Sequence, residues 1–200
     1  MRLLEDREHY EDVMLGAVSR ARVSVWISTA NLKEVMIEAP IGSAARARGR
    51  YLSITERLAE LVRRGVELRI LHASSPSRAL RRALGRHPEL TLPTFELRQC
   101  PRVHMKVIAV DGNYLYLGSA NLTGAGLGAK GVGRRNFELG ICTDDDWMLD
   151  AVQARYERIW SGGECAACRL KAECGAPLSA MARPATKTGC TGRHAAGDSR

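Results

Sequence analysis

The stretch from His104 to Asn121 constrains the chain more than any other. Val107-Ile108-Ala109-Val110 and Tyr114-Leu115-Tyr116-Leu117 are runs of apolar, largely β-branched and aromatic residues. Between them, Asp111-Gly112-Asn113 permits the left-handed backbone that a tight reversal needs. The pattern predicts a β-hairpin with strands His104 to Val110 and Tyr114 to Leu117. Side chains two apart on a strand share a face, so His104 joins Lys106, Ser119 joins Asn121, and the hairpin gathers both pairs at its open end. An imidazole, an ammonium, a hydroxyl and an amide at one spot form a nucleophile with donors for the non-bridging oxygens of a phosphate. Asp111 is out of phase with this group, which suits it to ordering the turn or a neighbouring cation.

Around this hairpin the periodicity alternates between helix and strand. Val13, Met14, Ala17 and Val18 have helical spacing within Glu5 to Ala21, and Val23 to Ile27 reads as a strand. Pro40, Gly42, Gly49 and alternating arginines make Ala39 to Arg50 an exposed loop. Ser53, three residues before Glu56, offers a capping box for a helix ending at Gly65. A strand from Val66 to Leu71, a short basic helix from Pro76 to Leu84 and a strand from Phe95 to Gln99 lead to the hairpin. A glycine-rich loop from Gly124 to Gly133, a strand from Phe137 to Cys142 and a helix from Asp144 to Trp160 follow it. The fold class expected is α/β, a mixed β-sheet flanked by helices. One domain is expected over residues 1–162, then a Cys-rich segment over 163–178. The polar, aperiodic residues 179–200 are expected to be a disordered tail.

Composition excludes some classes. A hydrophobic fraction of 45% with 26% charged residues is that of a globular chain rather than a disordered one. The N-terminus mixes acids and bases with its apolar residues, and no run of about 18 apolar residues appears, so a cytoplasmic protein is expected. Charge is concentrated between Ala44 and Pro88, where eleven arginines against three glutamates account for the whole net charge of +8. Such a block attracts a polyanion through counterion release, with Arg46, Arg48, Arg50, Arg81 and Arg82 the candidate contacts. The same charges also suit a solvated helix face.

Each residue of the hairpin has an ordinary explanation taken singly. Six fixed identities at fixed offsets, at roughly one in twenty each, would arise by chance only on the order of a few times in a million chains of this length. The pattern HxKxxxxD followed by GSxN, met by His104, Lys106, Asp111, Gly118, Ser119 and Asn121, resembles the signature of the phospholipase D superfamily. The resemblance extends to the glycine-containing loop and to a strand bearing Glu138, and it covers about Val23 to Trp160. It implies a phospholipase D-like fold with one signature per chain, and a catalytic set of His104, Lys106, Asp111, Ser119, Asn121 and Glu138. Glu138 is implied to orient the reactive histidine. Members of the superfamily use two signatures: one histidine attacks phosphorus, and the other protonates the leaving oxygen and later activates water. A chain with one signature then implies a homodimer with His104 beside its own mate, similar to small dimeric bacterial nucleases of the superfamily. No metal is implied for catalysis. Ser28-Thr29-Ala30-Asn31-Leu32 echoes Gly118 to Leu122 but follows no His and Lys, and is read as coincidence.

Cys165, Cys168 and Cys174 have the spacing CxxCxxxxxC, which in a reducing compartment favours a structural metal over disulfides. Zinc is one candidate; the triplet also resembles the iron-sulfur staple of certain helicase-associated nucleases, and free thiols are the plain alternative. Cys100 ranks first as fourth ligand, because a last helix antiparallel to its strand returns the chain to the His104 end. Cys190 ranks second and Cys142 last. His9, His72, His87 and His194 have no partners at ligand spacing. The functional expectation is a metal-independent nuclease acting on DNA or RNA. The rivals are phospholipid headgroup hydrolysis or transfer, for which no membrane-seeking helix is seen, and a non-catalytic nucleic-acid-binding module.

Overall fold

The computed structural model describes residues 1–38, 42, 44–172 and 174–181. Seven strands form one sheet in the order β1-β9-β8-β7-β2-β5-β6, from β1 (Arg2–Glu5), β2 (Ser24–Thr29), β5 (Glu67–His72), β6 (Phe95–Gln99), β7 (Val107–Val110), β8 (Tyr114–Gly118) and β9 (Leu139–Thr143). Its parallel part is β2, β5 and β6, and its antiparallel part runs from β2 through β7, β8 and β9 to β1. The α/β class with a mixed sheet is therefore present. A small second sheet pairs β3 (Met36–Glu38) with β4 (Tyr51–Ser53).

Helices pack on both faces of the sheet. On one, Val25, Ile27, Leu68, Ile70, Ile108, Val110 and Tyr116 are buried under a π-wound helix (His9–Val18), α2 (Ile54–Arg63) and α3 (Arg78–Leu84). On the other, Trp26, Leu71, Val107, Ala109 and Leu115 meet Leu149, Tyr156 and Trp160 of α4 (Asp146–Trp160). The Tyr156 ring stacks between Trp26 and Trp160, with centroids 5.3 and 5.6 Å away, and its hydroxyl donates to the Arg69 carbonyl at 3.1 Å. Burying rings of this size contributes about 2–3 kcal/mol each, which fixes α4 along β2 and β7.

Several elements differ from the sequence expectation for local reasons. Leu4 turns into the core, so Arg2–Glu5 joins β9 as a strand ahead of the helix, taking Glu5 from the stretch expected to be helical. The expected loop at 39–50 holds a short helix, α1 (Ala44–Ala47), between β3 and β4. Ser53 does cap α2, its hydroxyl accepting from Thr55 N at 3.1 Å. His104 and Lys106 precede β7 rather than lie in its ladder, and Phe137 precedes β9. α5 (Leu178–Met181) crosses the expected boundary at Ser179, and its Leu178 is buried against Tyr156 and Trp160. The rest of the expected tail, with Cys190 and His194, lies outside the described residues. Among the described residues no helix is long and apolar enough to cross a membrane.

Candidate active site

Asp111 sets the hairpin. At φ 52 it adopts the left-handed conformation the turn requires, and its carboxylate accepts from the backbone N–H groups of Arg22, Val23 and Ser24 at 2.9, 2.8 and 2.9 Å. Burial pushes this carboxyl up, but the three N–H donors outweigh it and hold the pKa below the ordinary value. Asp111 thus ties the turn to the start of β2 and stands at the opposite end of β7 from His104. Four ladder residues separate it from His104 and Lys106, and its carboxylate takes the turn-ordering place that its phase suggested rather than a place beside the other residues of the expected catalytic set.

At the other end, His104, Lys106, Ser119 and Asn121 line one cavity of about 760 Å³ between β7, β8 and α4. His104 is exposed and Lys106 buried. The Lys106 ammonium sits 3.2 Å from each ring nitrogen of His104 and donates to its carbonyl at 2.8 Å. Burial lowers the Lys106 pKa against the opposing charge of Glu138.

The amide of Asn121 is oriented by the end of β2. Its Oδ1 accepts from Ala30 N at 3.1 Å, Asn31 N at 3.0 Å and Thr29 Oγ1 at 3.3 Å, which leaves the NH₂ end as the donor for the cavity. Thr29 Oγ1 also accepts from Leu122 N, and Leu32 bridges Leu122. The echo of Gly118 to Leu122 in Ser28 to Leu32 is therefore a real neighbour of the site, and the reading as coincidence is corrected. The likeness of the two strings was the available signal.

Glu138 takes partners other than the expected one. Its carboxylate accepts from the Ser119 hydroxyl and, at 3.0 Å, from Asn136 Nδ2; among the described residues it has no hydrogen bond to His104. Ser119 Oγ in turn accepts from Leu139 N at 3.1 Å, so its donor is directed to Glu138 and its acceptor to the backbone. Of these side chains, besides the His104 ring, the Lys106 ammonium and the Asn121 amide keep donors toward the cavity. Gly118 is glycine for a steric reason: a Cβ there would strike the Tyr116 phenol and lie 2.9 Å from the Leu139 carbonyl.

Arg155 of α4 lines the same cavity and pairs with Glu164 at 2.6 Å. Sequence reasoning missed it, because the face of α4 that meets the site is decided by packing. None of Arg48, Arg50, Arg81 and Arg82 lines the cavity, and the side chain of Arg46 lies outside what the structure describes. Arg48 and Arg50 are exposed between β3 and β4, and Arg81 and Arg82 are exposed on α3, where Arg81 donates to the Pro76 carbonyl at 2.7 Å. Much of the remaining basic block is engaged within the fold: Arg57 with Glu60, Arg63 with Glu89, and Arg69 with Glu67 and Glu157. Cys100, Cys165, Cys168 and Cys174 lie together in a separate cavity, and Cys142 lines a different one.

A family model described as cardiolipin synthase, PLD-like domain, matches residues 14–160, which takes in both halves of the site. The chain belongs to the PLD-like domain family. It is accordingly a phosphodiesterase of the phospholipase D superfamily. Two solved structures are similar to it in fold. The phospholipase D family member Nuc from Salmonella typhimurium is 19% identical with a TM-score of 0.56, over 80% of this chain and 93% of that one. NucT from Helicobacter pylori is 16% identical with a TM-score of 0.54, over 78% and 92%. No curated protein matches the chain significantly.

Proposed function

We propose that the chain is half of a nuclease that cleaves DNA or RNA through a phosphohistidine on His104 and is completed by a second copy of itself. The observation that carries the reading is the cavity in which an exposed imidazole stands beside a buried ammonium and an amide locked with its donors free. A ring nitrogen of His104 attacks phosphorus as the bond to the leaving oxygen breaks, and Lys106 and Asn121 stabilise the charge on the equatorial oxygens. Ser119 and Glu138 hold the end of β8 against β9. The leaving oxygen needs a proton, and the phosphohistidine then needs an activated water. This chain offers one histidine for work that takes two, and His104 of a second copy supplies the other.

The surface beside the cavity supports that assembly. Leu117 lines the cavity and pairs with Ile141, which pairs with Leu3, so one apolar row leads from the site to the sheet edge. α4 leaves the end of this row uncovered: Leu3, Phe137, Leu139 and Trp147 are exposed by 56, 95, 58 and 77%. A soluble chain rarely leaves such a patch without a partner, and a self-complementary face across a two-fold axis brings the cavities together. The net charge of +8 favours a polyanionic substrate.

The test is parallel incubation of chelator-treated protein with single-stranded DNA, double-stranded DNA, RNA and phospholipid vesicles. Cleavage of a nucleic acid by wild type, and none by folded His104→Ala protein, is expected. Turnover of phospholipid alone would overturn the substrate, and wild-type turnover by His104→Ala would overturn the mechanism.

A further inference from the structure

Cys100 follows β6, and the chain after α4 returns to meet it. Cys165, Cys168, Cys174 and Cys100 line one cavity of about 30 Å³, although Cys100 is 65 or more residues distant in sequence. All four are free and half-buried. The segment carrying three of them is a run of turns: Cys168 N donates to the Cys165 carbonyl at 3.2 Å, Lys171 N to that of Cys168 at 3.2 Å, and Cys174 N to that of Lys171 at 3.4 Å. Little apolar burial holds these turns, since Leu170 is exposed and, among the described residues, the next buried side chain is Leu178. Ordering a dozen residues costs on the order of 1–2 kcal/mol each, which the ion pairs of Glu164 with Arg155 and Arg158 do not offset.

We propose that Cys100, Cys165, Cys168 and Cys174 form a tetrathiolate site for a thiophilic metal centre, a zinc ion or an iron-sulfur cluster, that clamps the C-terminal segment onto the strand end leading into His104. Arg102 and Lys171 line the same cavity, and two cations suit the excess negative charge that four thiolates leave on either centre. Among the described residues no three thiol, imidazole or carboxylate groups stand at coordinating distance, so the thiols turn inward on binding, and each gives up its proton to solvent. Cys142 is not a ligand: it lines the cavity of Arg2 and Tyr114 elsewhere on the sheet. Pro101, Arg102 and Val103 alone separate Cys100 from the nucleophile, so the centre positions His104 without touching substrate.

Full-length protein purified anaerobically is assayed for zinc, iron, sulfide and free thiols, and its spectrum is recorded. A colourless protein with about one zinc per chain, or a brown one with iron and sulfide, supports the site and distinguishes its occupants. Cobalt(II) added to chelator-stripped protein should give thiolate-to-cobalt charge-transfer absorption. That absorption should drop several-fold in Cys100→Ser and Cys168→Ser and stay unchanged in Cys142→Ser. Metal-free protein with freely titrating thiols or disulfides and no cobalt absorption, or a Cys142→Ser effect equal to that of Cys100→Ser, would overturn the proposal.

Discussion

Lys106 carries the charge on which the proposed chemistry depends, and burial makes that charge easier to lose. With its pKa below the ordinary lysine value, Lys106 gives up its proton before surface lysines do. Activity is expected to fall as pH rises through that lowered value. Stability moves the other way, since the unfolded chain holds the proton more tightly and folding gains as pH rises through the same window. Lys106→Arg keeps its charge past about pH 12, so its kcat/KM profile should lose the alkaline limb even where its plateau is reduced. An alkaline limb at the same pH in both proteins would assign it to another group. Asn121 is subject to a related constraint: three donors on its Oδ1 fix which end of the amide meets the cavity.

At the scale of elements, the hairpin of β7 and β8 is held by its turn and acts at its open end. Asp111→Asn removes a charged acceptor from three backbone N–H groups and should cost about 1–3 kcal/mol of stability at neutral pH. Because the carboxyl is held below its ordinary pKa, its contribution is complete above the unfolded value and fades as pH falls through the folded one. Urea unfolding of the two proteins should therefore converge toward acid pH, and a constant gap would remove the charged role. The hairpin was legible in the sequence because its signals are local: a turn tripeptide between two apolar runs. β1, β3 and β4 were not, since three or four residues carry too little period to read, and they pair with partners chosen by tertiary packing. The same limit hid half of the site. His104, Lys106, Ser119 and Asn121 announce themselves by spacing, whereas Thr29 and Ala30 act through hydrogen bonds from the end of β2 to Asn121 that appear only when the sheet closes. Glu138 was found by its place after the loop, but its partner Ser119 depends on the β8–β9 register.

For the whole molecule, two properties follow from the reading as a dimeric nuclease. The first is electrostatic. Arg48, Arg50, Arg81 and Arg82 are exposed away from the cavity, so they can act on substrate only as a remote field or as contacts to distant phosphates. Changing them with Arg46 to Ala should weaken nucleic-acid binding and flatten its dependence on salt, and an unchanged slope in a binding titration would make them a solvated face. The second is assembly, because a site that needs two copies of His104 has a signature no single-chain enzyme shares. His104→Asn keeps a polar side chain of similar reach at an exposed position, so it should leave the fold and the apolar row from Leu117 to Leu3 intact. When equal amounts of wild-type and His104→Asn chains exchange freely, about half of the wild-type chains end in mixed dimers. Those dimers hold either the nucleophile or the acid, never both, so activity per wild-type chain should fall to about half of its unmixed value. Adding more His104→Asn chains should lower it further. A sedimentation profile showing only monomers, with activity per wild-type chain unmoved by any excess of His104→Asn, would mean that one chain does the whole reaction with a second acid that is not His104.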